Sequence, residues 1–113
     1  MERPFPAYRG DDPYTFVCYS HTDADLVYPE LVWLTKQNCN IWYDEGIAPG
    51  QEWTEELAQA IKGASHFLYF VSPDSIQSRN CRDEVNFALE NDQHLVSVHL
   101  TETQLTDGLR LSI

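Results

Sequence analysis

The chain has 113 residues, with 18 acidic against 7 basic side chains and a formal net charge of −11. A surface that negative repels phosphate backbones and anionic lipid, which argues against nucleic acid and membrane as partners. With 42% hydrophobic and 12% aromatic residues, the composition fits one globular domain with one core and argues against disorder.

No apolar run approaches membrane-spanning length, and Met1-Glu2-Arg3-Pro4 leads into no signal-peptide core. Cys18, Cys39 and Cys81 are odd in number and form no CxxC, so reduced thiols in a cytoplasmic compartment are expected. The spacing of His and Cys offers no metal site.

Residues 1–13 carry three prolines and a Gly-Asp-Asp, and read as an extended lead-in. Tyr14 to Tyr19 is apolar nearly throughout, as a strand covered on both faces would be. Ser20-His21-Thr22-Asp23 follows as a polar loop that can cap a helix. Val27, Leu31 and Leu34 then fall at helical spacing. Pro29 interrupts that stripe, so either the helix starts near Tyr28 or it is kinked at Pro29.

Ile41-Trp42-Tyr43 reads as a second strand, with an acidic exit and a loop hinged by Gly46 and Pro49-Gly50. Trp53, Leu57, Ile61 and Ala64 form a second helical stripe, with Glu52, Glu55 and Glu56 where the helix dipole favours negative charge. Phe67 to Val71 is the most apolar strand and is expected at the centre of the sheet. Ser72-Pro73-Asp74-Ser75 breaks it, a third helix runs from about Cys81 to Asn91, and Leu95 to Leu100 is a fourth strand. Alternating strands and helices predict right-handed crossovers and a parallel sheet. The polar exits Ser20-His21, Asp44-Glu45 and Ser72 then gather on one edge, where open α/β sheets bind ligands. The end at Gly108 to Ile113, without a closing helix, suggests a fragment of a longer protein with one sheet face partly bare.

Glu84 is the sharpest single residue. At roughly 100° per residue it lies about 60° from Cys81 and about 40° from Ala88 around the third helix. It therefore sits on or beside the face that packs inward, where a carboxylate is costly unless paired or used. One reading is a boundary glutamate paired with Arg79 or Arg82; the other is a functional carboxylate.

Four segments occur in order: Phe16-Val17-Cys18-Tyr19-Ser20-His21, Trp42 to Trp53, Phe70-Val71-Ser72-Pro73, and Ser78-Arg79-Asn80-Cys81-Arg82-Asp83-Glu84. Together they resemble a Toll/interleukin-1 receptor (TIR) domain over about residues 14–100, and the bacterial branch more than the animal receptors. The resemblance implies a flavodoxin-like three-layer sandwich, with a central parallel sheet between helices and the C-terminal helix absent. It makes residues 14–113 the domain, truncated at its C-terminal end and the amino-terminal module of a longer signalling or defence protein.

Some members of that family cleave the nicotinamide–ribose bond of NAD⁺, and some cyclise the product; their catalytic glutamate falls on Glu84. NAD⁺ is then a substrate, with no cofactor and no metal, and activity follows self-association with other TIR domains. Ser20, His21, Asp44, Trp53 and Asn80 are the accompanying substrate-binding candidates. Each has a plainer reading: His21 as a loop residue, Asp44 as an organiser of its loop, Trp53 as core. Members that cleave NAD⁺ often carry a tryptophan four residues before the glutamate. Asn80 stands there instead and suits a helix cap. The loop from Asp44 to Gln51 corresponds to the one the family uses for assembly and for covering its site. The alternative function is a non-catalytic interaction module assembling through that loop. A phosphate-accepting receiver lacks its aspartate after the third strand, and a glycine-rich dinucleotide turn is missing after the first.

Overall fold

The computed structural model describes residues 4–43 and 55–100. Asp44, Trp53, the Asp44–Gln51 loop and the 101–113 segment lie outside the described residues. Strands β1 (Thr15–Cys18), β2 (Ile41–Tyr43), β3 (His66–Val71) and β4 (Leu95–His99) form one parallel sheet in the order β2-β1-β3-β4. Both β1 and β3 are central, and both are buried over most of their length. That order is the flavodoxin-like arrangement expected from the alternation of elements.

The register aligns Trp42, Phe16 and Phe67 across three strands. Their rings stack, with centroids 5.0 Å and 5.2 Å apart and planes within 14° and 10°. This aromatic layer is a large apolar block on the sheet and pins the strand register, because a one-residue slip would turn each ring to the other face.

Helices α1 (Ala24–Lys36), α2 (Glu55–Gly63), α3 (Pro73–Gln77) and α4 (Arg79–Glu90) supply the crossovers. The chain winds from β1 outward to β2 and then back across to β3. Right-handed crossovers therefore place α1 on one face of the sheet and α2 and α4 on the other. The packing agrees: α2 and α4 touch each other, and α4 touches β1. Leu57 and Ile61 of α2, with Cys81, Val85 and Ala88 of α4, fill that side of the core.

Three local expectations are settled or changed. The first helix does not wait for Tyr28: it starts at Ala24 and runs through Pro29, as in the second of the two alternatives. Pro29 removes the bond to the Asp25 carbonyl, but both residues are exposed and water can solvate that oxygen. Ser72-Pro73-Asp74-Ser75 ends β3 by starting the short helix α3: Ser72 is its N-cap and Pro73 sits in the first turn. The third helix expected from the sequence begins earlier, at Arg79, and its N-cap is Ser78.

The lead-in is extended and packed. The Tyr8 amide donates to the Ile41 carbonyl at 2.8 Å, the Tyr43 hydroxyl donates to the Phe5 carbonyl, and Ala7 is buried. Arg9 pairs with Glu56 and lies over the Trp42 ring at 5.6 Å.

Candidate functional site

In a sheet of this order the winding reverses between β1 and β3, and the crevice beyond their carboxyl ends is the favoured ligand position. β1 exits through Tyr19 and Ser20 into a 3-10 turn at His21–Asp23. β3 exits through Ser72. The two exits are tied together, since the Ser72 hydroxyl donates to the Asp23 carboxylate. The same hydroxyl accepts from the Ser75 amide at 3.0 Å, while the Ser75 hydroxyl accepts from the Ser72 amide at 2.8 Å. This reciprocal cap satisfies the first amides of α3. Ser75 Oγ also lies 3.4 Å from the Tyr69 hydroxyl, so a buried polar chain runs Asp23, Ser72, Ser75, Tyr69.

Glu84 lies on the inward face of α4 and is 4% exposed. Arg79 is engaged elsewhere, 3.9 Å from Asp83 on the exposed side of the helix, and Arg82 is exposed. Cys18, the last residue of β1, is fully buried, and its thiol donates to the Cys81 carbonyl at 3.8 Å. Burial first, then the contact with Cys81 and the charge of Glu84, push the Cys18 thiol well above its ordinary range. The Tyr69 hydroxyl is pushed up to about 12, chiefly by burial, against the opposing hydrogen bond from Ser75. Cys18, Cys81 and Glu84 each add to that rise. Glu84 thus belongs to a thiol- and phenol-lined interior at the carboxyl end of β1. Charges in such a low-dielectric setting act more strongly than in water.

The remaining sequence candidates are distributed as follows. Ser20 is buried, with its hydroxyl 2.8 Å from that of Thr22. His21 is exposed and its ring stacks on Tyr19, with centroids 5.1 Å apart and planes 21° off parallel. Asn80 is half-buried in the first turn of α4, inside the helix, so the capping role expected of it belongs to Ser78, whose hydroxyl accepts from the Cys81 amide. Asp44 and Trp53 lie outside the described residues. Ser20, His21 and Glu84 therefore come to one edge of the sheet. Sequence reasoning missed Asp23, Ser72, Ser75 and Tyr69 as a connected group. The cue was present in the Ser-Pro-Asp-Ser run, which reads as a cap with proline behind it.

Among the described residues no three of His, Cys, Asp or Glu gather as metal ligands. No described helix is long and apolar enough to cross a membrane.

The family model described as TIR domain matches residues 15–111. Human Toll-like receptor 6 is 30% identical over 80 residues, which is 69% of this chain and 10% of that receptor. The chain thus spans about a tenth of the length of this curated relative. Among solved structures, the TIR domain of the Toll-related receptor TRR-2 from Hydra magnipapillata superposes with a TM-score of 0.72 at 18% identity, over 85% of this chain and 77% of that one. A metazoan TIR-STING receptor from C. gigas gives 0.68 at 21% identity, over 93% and 38%. The TIR domains of the activated Roq1 resistosome give 0.68 at 17%, over 81% and 60%. At these identities the structures establish the fold. The expected leaning to the bacterial branch draws no support from these relatives.

Proposed function

The chain belongs to the TIR domain family, a signalling module, and we propose that on self-association it cleaves the nicotinamide–ribose bond of NAD⁺, with Glu84 as the catalytic residue. The observation that supports this reading is the burial of the Glu84 carboxylate beside Cys18 at the carboxyl end of β1, next to the point where the winding of the sheet reverses. Burying a carboxylate is costly unless it is hydrogen-bonded, paired or used, and strongly perturbed interior carboxylates cluster at functional sites. Some members of the family, as the sequence resemblance implies, use the glutamate at this position for this reaction.

The chemistry suits the setting. As the bond between ribose C1′ and the nicotinamide nitrogen breaks, the bonding pair leaves with nicotinamide, which becomes neutral. Positive charge moves to the ribose, and a carboxylate fixed in a dry site stabilises it. Water then adds at C1′ and loses a proton, giving ADP-ribose; attack by the adenine ring in place of water would close a cycle. Nicotinamide leaves without protonation, so no acid partner is required.

Assembly supports the same reading. The Roq1 neighbour is a TIR domain within a resistosome, and the Asp44–Gln51 loop is the proposed contact in this chain. A net charge of −11 opposes self-association, so salt or a tethering partner favours it. Three free thiols, two of them buried, suit a reducing, cytoplasmic location.

One observation favours the second reading, a non-catalytic module that assembles with other TIR domains: Asn80 stands where a stacking tryptophan is common. The experiment is direct. Concentrated or artificially clustered protein is incubated with NAD⁺ and free nicotinamide is followed. Release that is abolished in Glu84→Gln, with the circular dichroism spectrum unchanged, supports the nucleosidase. Absence of release in every assembled state leaves the interaction module as the function.

A further inference from the structure

With Asn80 where a stacking tryptophan is common, a flat ring at this edge has to meet another side chain. Tyr19 is 5% exposed, so its own face is covered. The cover is the imidazole of His21, nearly parallel at 5.1 Å, and His21 is exposed. Behind Tyr19 the contacts continue to Tyr28 (5.9 Å) and from Tyr28 to Tyr43 (6.0 Å), both edge to face. His21 is therefore the outermost ring of an aromatic column that reaches back into the core.

Its turn is held from several sides. The Asp23 amide donates to the Ser20 carbonyl at 2.9 Å, Ser20 and Thr22 share a hydroxyl hydrogen bond, and Asp23 is anchored by Ser72 from the exit of β3. Tyr19 and Tyr28 join their hydroxyls at 3.2 Å, fixing the ring beneath His21. A ring presented on such a base loses little freedom when a second ring lands on it, which is the condition for productive stacking.

We propose that His21 is the stacking platform for a heteroaromatic ring of the dinucleotide, taking the place of the tryptophan that Asn80 lacks. This rests on the nucleosidase reading above. The chemistry recognised is a flat, electron-poor or neutral heterocycle; nicotinamide and adenine both qualify, and the test separates them. The imidazole offers one face to Tyr19 and the other to the ligand, while its ring nitrogens remain available to the ribose edge.

The test uses the chain carrying Glu84→Gln, so that ligand persists, concentrated or clustered as in the nicotinamide assay, and measures NAD⁺ affinity by saturation-transfer NMR. His21→Ala is expected to weaken binding by roughly 3- to 10-fold, and His21→Phe to hold it within about twofold. Nicotinamide mononucleotide and ADP-ribose, titrated in parallel, report which ring depends on His21: the ring that stacks loses affinity in His21→Ala, and the other does not. Equal binding by His21→Ala and its parent overturns the platform while leaving the nucleosidase standing. The same holds if His21→Phe is as weak as His21→Ala. Failure of the parent itself to bind NAD⁺ overturns the substrate, and the platform with it.

Discussion

The Ser72 hydroxyl donates to the Asp23 carboxylate across the carboxyl ends of the two central strands, joining the exit of β1 to the exit of β3. Both residues are buried, Ser72 at 2% and Asp23 at 8% exposure. A charged hydrogen bond in that setting stabilises by about 1.5–3 kcal/mol. Asp23→Ala is therefore expected to lower the unfolding free energy by about 2 kcal/mol, and Asp23→Asn by less, because the amide oxygen still accepts from Ser72. A double-mutant cycle with Ser72→Ala in urea should return a coupling of about 1 kcal/mol or more. Strictly additive losses would show that the two groups do not act on each other.

Alkaline pH should weaken the fold through Cys18 first. Burial raises its thiol above the ordinary value of 9.0. Above that value the unfolded chain releases the proton while the native chain keeps it, so stability is fully present below pH 9 and declines as pH rises. Tyr69 extends the decline from 10.0 to about 12 by the same sign. Urea midpoints measured from pH 8 to pH 11 should fall, and Cys18→Ala should flatten the first part of that slope. A midpoint unchanged across this window would contradict the account.

Pro29 sits in the sixth position of a thirteen-residue helix on its exposed side. Proline in a helix interior costs about 3 kcal/mol relative to alanine, partly offset by its stiffening of the unfolded chain. Pro29→Ala is expected to stabilise by about 1–2 kcal/mol, read as a rise in thermal midpoint. A fall would mean that Pro29 sets a bend the core needs.

Glu84→Gln keeps the size of the side chain and a carbonyl acceptor, so it is expected to change stability by less than about 2 kcal/mol. Thermal unfolding at pH 7 decides this. A loss above about 2 kcal/mol would mark Glu84 as a structural anchor and favour the pairing explanation that the sequence left open.

The strands were legible because each is a short apolar run bounded by polar residues, and Thr15–Cys18, Ile41–Tyr43 and His66–Val71 fall within a residue of expectation. Glu84 was partly legible for a different reason: its angular position near Cys81, Val85 and Ala88 puts it on or beside the apolar face, and the packing of α4 makes it buried. Two things were harder. The Ser72 run reads equally as a breaker and as a cap, and only the hydrogen bonds through Ser75 choose the cap. Asp23 looks like one more polar loop residue until the sheet order brings Ser72 beside it, a contact 49 residues apart in sequence. Long-range pairing of this kind leaves no periodic trace.

The lead-in has a further consequence for how the protein behaves in bulk. β2 is an edge strand of three buried residues, and bare edges recruit strands from other molecules. Tyr8 reaches Ile41 with one backbone bond, while Pro4, Pro6 and Pro13 leave gaps in the donor row that would otherwise offer a new template. The lead-in occupies the edge without becoming one. A chain starting at Tyr14 would lose this shield along with the buried Ala7, and sheet-to-sheet aggregation would become easier.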